Sequence, residues 1–149
     1  MLPRLGVLVI AGFIGSPAMN FLQGRLEAIE AGMARVTLGL GPVLEIPVEQ
    51  SAGVGAEVIV GIRPEHLRVG GHNAANFVSG EAAMLEMHGS DTFIHWRSGG
   101  ESIIIRQDGR CRLRRGDSVS VRIDPMLCHL FAQSGRRISV AHQQIGAAA

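Results

Sequence analysis

Lysine and tyrosine are absent from this chain of 149 residues, and all 14 basic side chains are arginine. Without lysine there is no Gly-x-x-x-x-Gly-Lys-Ser/Thr loop to cradle the phosphates of a nucleotide. The exclusive use of arginine reads as a coding bias. Aromatics are few: Phe13, Phe21, Phe77, Phe93, Trp96 and Phe131. With a net charge of only +1, that scarcity speaks against a base-stacking platform for single-stranded nucleic acid. Two cysteines, Cys111 and Cys128, are too few for a disulfide framework and form no Cys-x-x-Cys pair, so buried free thiols are expected. Charged residues make up 18% against a typical ~25%. With 46% hydrophobic residues, the chain has the makings of one ordered domain without charged tails. The apolar run 5–14 is too short to span a bilayer, although behind Arg4 it imitates a short secretion signal.

Glycine, by contrast, is abundant, with 20 residues, and it falls between short β-rich runs. Residues 34–40, 57–62 and 118–123 alternate apolar and polar side chains, placing Val36, Leu38 and Leu40, then Val58, Val60 and Ile62, then Val119, Val121 and Ile123 on single faces. Residues 91–97 and 101–106 flank Ser98-Gly99-Gly100 and predict a hairpin. Helical periodicity is confined to a turn or two after Pro64 (65–69) and after Pro125 (126–131). Many short strands with turns between them predict an all-β barrel or sandwich. An internal repeat sharpens this. Gly55-x-x-Val58-x-Val60-x-Ile62-x-Pro64 recurs as Gly116-x-x-Val119-x-Val121-x-Ile123-x-Pro125, and Asn20-Phe21-Leu22-x-Gly24 recurs as Asn76-Phe77-Val78-x-Gly80. Two similar halves, about 20–70 and 76–131, are expected, each with glycine turning the chain, alternate residues lining a core and proline ending the strand.

No catalytic constellation is present. Gly-x-Ser-x-Gly is missing, and the neighbours Cys128 and His129 would face opposite ways on a strand. The histidines at 66, 72, 88, 95, 129 and 142 show no His-x-His or His-x-x-x-His spacing, so no metal site is expected and hydrogen-bonded structural roles are. Arg106, Arg110, Arg112, Arg114 and Arg115 form the densest positive cluster, read as a solvated edge that resists strand-to-strand aggregation. Arg63 and Glu65 could pair with each other, cap a loop or face a partner.

Four blocks in order carry a resemblance: Gly12-Phe13-Ile14-Gly15-Ser16-Pro17-Ala18-Met19-Asn20-Phe21-Leu22, Gly61-Ile62-Arg63-Pro64-Glu65-His66-Leu67, Gly89-Ser90-Asp91-Thr92, and Asp124-Pro125 with Cys128-His129-Leu130-Phe131. From Gly12 to Ile138 the chain resembles the C-terminal regulatory region of the ATP-binding subunits of carbohydrate importers, the maltose and glycerol-3-phosphate type of ABC transporter. The resemblance implies an OB-like β-barrel of two similar halves, of the TOBE kind related to molybdate-binding modules, with minor short helical turns. It implies a regulatory and dimerisation role: a homodimer, association with the transporter's membrane subunits through an ATPase domain, and a phosphotransferase-type regulatory protein as a further partner. It places the chain in the cytoplasm, at the inner face of the plasma membrane. By motif it marks Phe21, Gly61 and Glu65, with Gly55, Arg63, Gly80 and Glu86, as fold- or partner-determining positions. No catalytic, cofactor-binding or metal-binding residue is implied.

The ATPase domain of that family is absent from this chain, so no enzyme activity is expected, and ATP and magnesium would enter only through that domain. Residues 1–16 then read as a truncated or divergent linker from a nucleotide-binding domain rather than a secretion signal. Residues 17–140 form the regulatory domain and 141–149 a flexible tail. A stand-alone module binding oxyanions such as molybdate is the alternative. An OB-fold binder of single-stranded nucleic acid is disfavoured by the composition.

Overall fold

The computed structural model describes residues 19–49, 53–70, 77–109 and 111–139. The expectations on 1–16, on 141–149, on Asn76 and on Arg110 lie outside them, as does most of the first resemblance block. The described chain is all-β: ten strands and two 3-10 turns. β1 (Asn20–Glu30), β2 (Met33–Leu38), β3 (Val43–Pro47) and β4 (Glu57–Ile62) lead into the turn Pro64–His66 and the short β5 (Arg68–Val69). β6 (Phe77–His88), β7 (Asp91–Ser98), β8 (Glu101–Asp108) and β9 (Ser118–Arg122) lead in the same order into the turn Pro125–Leu127 and β10 (His129–Ala132).

The strands form two antiparallel five-stranded sheets, ordered β10-β4-β1-β2-β3 and β5-β9-β6-β7-β8. The two orders are the same permutation of equivalent strands, with one exchange. β5, which follows β4 in sequence, pairs with β9 in the second sheet, and β10 pairs with β4 in the first. The repeat is therefore also a swap: each sheet takes its last strand from the other half.

Local sequence accounts for the repetition. Gly55 and Gly116 both hold positive φ, +90° and +92°, a conformation that costs a side-chain-bearing residue energy. Each donates its N–H into a bulge, Gly55 to the Leu26 carbonyl and Gly116 to the Ala82 carbonyl. Those bulges, between Leu26 and Ala28 in β1 and between Ala82 and Met84 in β6, sit at the same place in the two halves. Prolines 64 and 125 open the 3-10 turns, where a missing N–H costs nothing. The helical segments expected over 65–69 and 126–131 are each a single 3-10 turn followed by a strand. Leu67 and Cys128 return to extended backbone, and each donates its N–H to the proline carbonyl. Inward-facing residues of both sheets form one core, with Leu22, Val60, Ile62, Ile94, Trp96, Val121 and Leu130 fully or almost fully buried.

Candidate functional site

β4 is an interior strand of its sheet, between β10 and β1, and its outer face is made by Glu57, Ile59 and Gly61. Gly61 lies opposite Phe21 of β1 on one side and His129 of β10 on the other. The rings of Phe21 and Phe131 lie across it, with centroids 6.2 Å apart and planes tilted by 56°. Phe131 also stacks on His129, centroids 6.4 Å apart. A Cβ on Gly61 would collide with the Met19 sulfur and come within 3.2 Å of Phe131 Cε2. Glycine here lets Met19 and two half-buried rings close over a bare backbone, and a larger residue would first have to displace the flexible Met19 side chain. The result is an apolar, aromatic patch on the outside of the first sheet.

Arg63 and Glu65 stand at the end of β4. Arg63 is exposed in extended backbone ahead of the 3-10 turn, and no side-chain bond from it caps that turn. Of the alternatives the sequence left, cap and mutual ion pair are not what the side chains make; both project outward. The Glu65 carbonyl accepts from Arg68 Nη1 at 2.8 Å. Glu65, Leu67, Arg68 and Val69 form one wall of a cleft of about 550 Å3, and Arg106, Gln107 and Asp108 of β8 form the other. Arg106 is tied to Asp91 at 2.8 Å, and that bond raises its pKa above the ordinary arginine value.

The remaining marked positions lie elsewhere. Gly55 occupies the turn before β4, in open space. Gly80 is in β6, where a Cβ would strike the Trp96 ring and stand 2.5 Å from the Arg97 carbonyl oxygen. Glu86 is on the exposed arm of the β6–β7 hairpin. Its Oε1 lies 2.9 Å from His95 Nε2 and 3.7 Å from His88 Nε2, and the bond to His95 holds its carboxyl below the usual range. The structure thus gathers Phe21 and Gly61, sets Arg63 two residues beyond Gly61 and Glu65 in the cleft against β8, leaves Gly55 in the turn before β4, and leaves Gly80 and Glu86 on the other sheet. Sequence reasoning passed over Met19, His129 and Phe131 as members of the patch. The block Cys128-His129-Leu130-Phe131 was the available signal, but nothing local in it reveals pairing with β4.

Among the described residues no group of three His, Cys, Asp or Glu side chains could hold a metal ion. His95 has the hydrogen-bonded partner expected of a structural histidine, whereas His88 stands 3.7 Å from Glu86 and edge-on to Phe93. The buried Nδ1 of His66 has no hydrogen-bond partner. Neither cysteine forms a disulfide: Cys128 is buried, its Sγ donating to the Asp124 carbonyl at 3.4 Å, and Cys111 is half-buried. No helix among the described residues is long and apolar enough to cross a membrane.

The MalK OB fold domain model matches residues 15–67, and the TOBE domain model matches 60–131. The chain belongs to the MalK OB fold and TOBE domain families. The two matches overlap on the end of β4 and the first 3-10 turn, beside the patch and the cleft. This OB/TOBE chain is 33% identical over 140 residues to the maltose/maltodextrin import ATP-binding protein MalK of Vibrio cholerae, covering 92% of this chain and 37% of that one. It is 37% identical over 140 residues to the sn-glycerol-3-phosphate import ATP-binding protein UgpC of Cereibacter sphaeroides, covering 91% of this chain and 36% of that one. The chain thus spans little more than a third of the length of these relatives and is homologous to their C-terminal region. Among solved structures it is similar to the cytoplasmic molybdate-binding protein ModG, with a TM-score of 0.66 at 18% identity, over 80% of this chain and 99% of that one. The all-β, OB-like fold of two similar halves is that of the OB/TOBE families and of ModG.

Proposed function

We propose that this OB/TOBE chain is the regulatory and dimerisation module of the ATP-binding subunit of an importer for sugars or glycerol 3-phosphate. The observation that carries this reading is the alignment of nearly the whole chain with import ATP-binding proteins of both kinds. The chain itself performs no ATP chemistry: it contains no lysine for a phosphate loop. It works at the cytoplasmic face of the membrane, where the ATPase domain of such a subunit meets the membrane subunits. The outer patch of Phe21, Gly61 and Phe131, flanked by Arg63 and Glu65, is its partner surface, since aromatic anchors with a charged rim are the usual build of a protein interface. A second copy of the chain and a phosphotransferase-type regulatory protein are the partners. Gly55, Gly80 and Glu86 shape the fold or extend that surface. The alternative of a stand-alone oxyanion module rests on likeness to ModG alone, which at this identity carries the fold and nothing further.

Sedimentation equilibrium over a dilution series, paired with calorimetry against ATP, tests the proposal. A dimer dissociating by mass action with no heat on ATP addition is expected. A strict monomer, or tight ATP binding, would sink it.

A further inference from the structure

The two sheets end in equivalent edges, and in the first sheet the gap between the edges is filled. Its edge strands are β10 and β3. A returning segment seats against β10: the Ile138 N–H donates to the Leu130 carbonyl at 2.7 Å, and the Leu130 N–H donates to Ser139 Oγ at 2.9 Å. On the β3 side the Glu49 N–H donates to the Ile138 carbonyl at 3.2 Å, and Val48 bridges to Ser139. Ile138 and Ser139 are 0% and 1% exposed. An aliphatic residue followed by a hydroxyl residue thus satisfies both edges at once.

In the second sheet the edges are β5 and β8. Val69 corresponds to Leu130 at the 61-residue offset of the repeat. Asp108 corresponds to Glu49: Leu26 and Ala82 share the bulge position and pair with Val36 and Trp96, which pair with Leu44 and Ile103, and five residues on stand Glu49 and Asp108. The Gly70 N–H donates to the Ser120 carbonyl and the Gly109 N–H to the Ser90 carbonyl. Antiparallel alternation then turns the backbone groups of Val69 and Asp108 away from their own ladders. Both residues line the 550 Å3 cleft, and no hydrogen bond among the described residues reaches those backbone groups. The residues equivalent to Ile138 and Ser139 are Phe77 and Val78, and these are committed to β6 on the far side of β9.

We propose that the β5–β8 cleft is a β-augmentation site for an extended segment of a separate polypeptide, carrying a branched aliphatic residue followed by serine or threonine. The main chain of the segment pairs with Val69 and Asp108, as main-chain bonds give affinity in this mode of recognition and side-chain pockets give choice. Glu65 and Arg68 on one wall face Arg106 and Asp108 on the other. These walls of mixed charge accept polar residues flanking the anchor.

The test uses the full 15N-labelled chain and the synthetic peptide Gly-Arg-Arg-Ile-Ser-Val, which copies residues 135–140. Chemical-shift changes and slowed amide exchange centred on Val69 and Asp108 are expected. Asp108→Pro removes an N–H that bonds to no ladder, so the strand tolerates it. It should weaken binding about tenfold, the loss of roughly one well-made hydrogen bond with its partner left unpaired. A peptide N-methylated at its isoleucine, which leaves the protein untouched, should not bind. The proposal is overturned by an unperturbed spectrum at about 1 mM peptide, where even weak complexes form, or by changes centred elsewhere. It is equally overturned by undiminished binding of the methylated peptide, or by Val69 and Asp108 amides that are already protected in the free chain.

Discussion

At Gly80 a single added methyl group would meet the face of Trp96 and a backbone oxygen, neither of which is free to withdraw. Gly80→Ala should therefore cost about 2 kcal/mol, the range of over-packing in a well-filled core. Gly55→Ala meets no atom but must hold a φ of +90°, and should cost about 1 kcal/mol. Urea titration followed by Trp96 fluorescence separates the two; equal effects would show that contact at Gly80 is irrelevant. Glu101 offers a pH signature. Partial burial raises its pKa above the ordinary 4.5, with a bond from the Gln23 backbone opposing. The folded state then holds this proton more tightly than the unfolded one. Its contribution is fully present below pH 4.5 and is lost as pH rises through the folded value. Glu101→Gln should flatten the stability profile just above pH 4.5 relative to wild type, and an unchanged profile would remove Glu101 as its source. Burial also pushes the Cys128 thiol up to about 12. Thiolate is the reactive form, so iodoacetamide at pH 8 should leave Cys128 unmodified until the chain unfolds, as peptide mapping would show. The special glycines were legible as motif members, but their reasons were not: Gly61 is explained by Met19 and Phe131, from segments far apart in sequence, and Gly80 by the Trp96 ring across the β6–β7 hairpin.

Among the elements, β1 also reaches across to the second sheet. Asn20 is 2% exposed; its Nδ2 donates to the Ile104 carbonyl at 2.9 Å, and its Oδ1 accepts from the Ile104 N–H at 2.8 Å. One side chain thereby closes part of the edge of β8 as a neighbouring strand would. Asn20→Ala leaves both Ile104 groups without this partner and should cost about 2 kcal/mol by chemical denaturation. A loss within error of zero would show that water replaces the side chain. Strands with clean alternation were readable: 57–62 matches β4, and 91–97 and 101–106 fall within β7 and β8. β1 and β6 were not read as long strands, because their bulges shift the inward set by one residue and break the period of two. The stretches after Pro64 and Pro125 looked helical for the opposite reason: a 3-10 turn followed by a strand of two to four residues leaves too little of either period.

For the molecule as a whole, the repeat was legible as a pattern of glycine, valine and proline, whereas the swap was not. Pairing of β5 with β9 and of β10 with β4 depends on which edge a short strand reaches, and two or four residues carry no sign of that. The swap has an equilibrium consequence: neither sheet is complete without the other half. Trp96 fluorescence, which reports the second sheet, and far-UV circular dichroism, which reports both, should follow one coincident unfolding transition. Two separated midpoints would show that the halves melt independently. There is also a consequence in the order of synthesis. As the chain leaves the ribosome, β1 to β4 emerge first, yet the outer partner of β4 begins at His129, opposite Gly61. The first sheet therefore keeps the β4 edge open until β10, some seventy residues further along the chain, has been made.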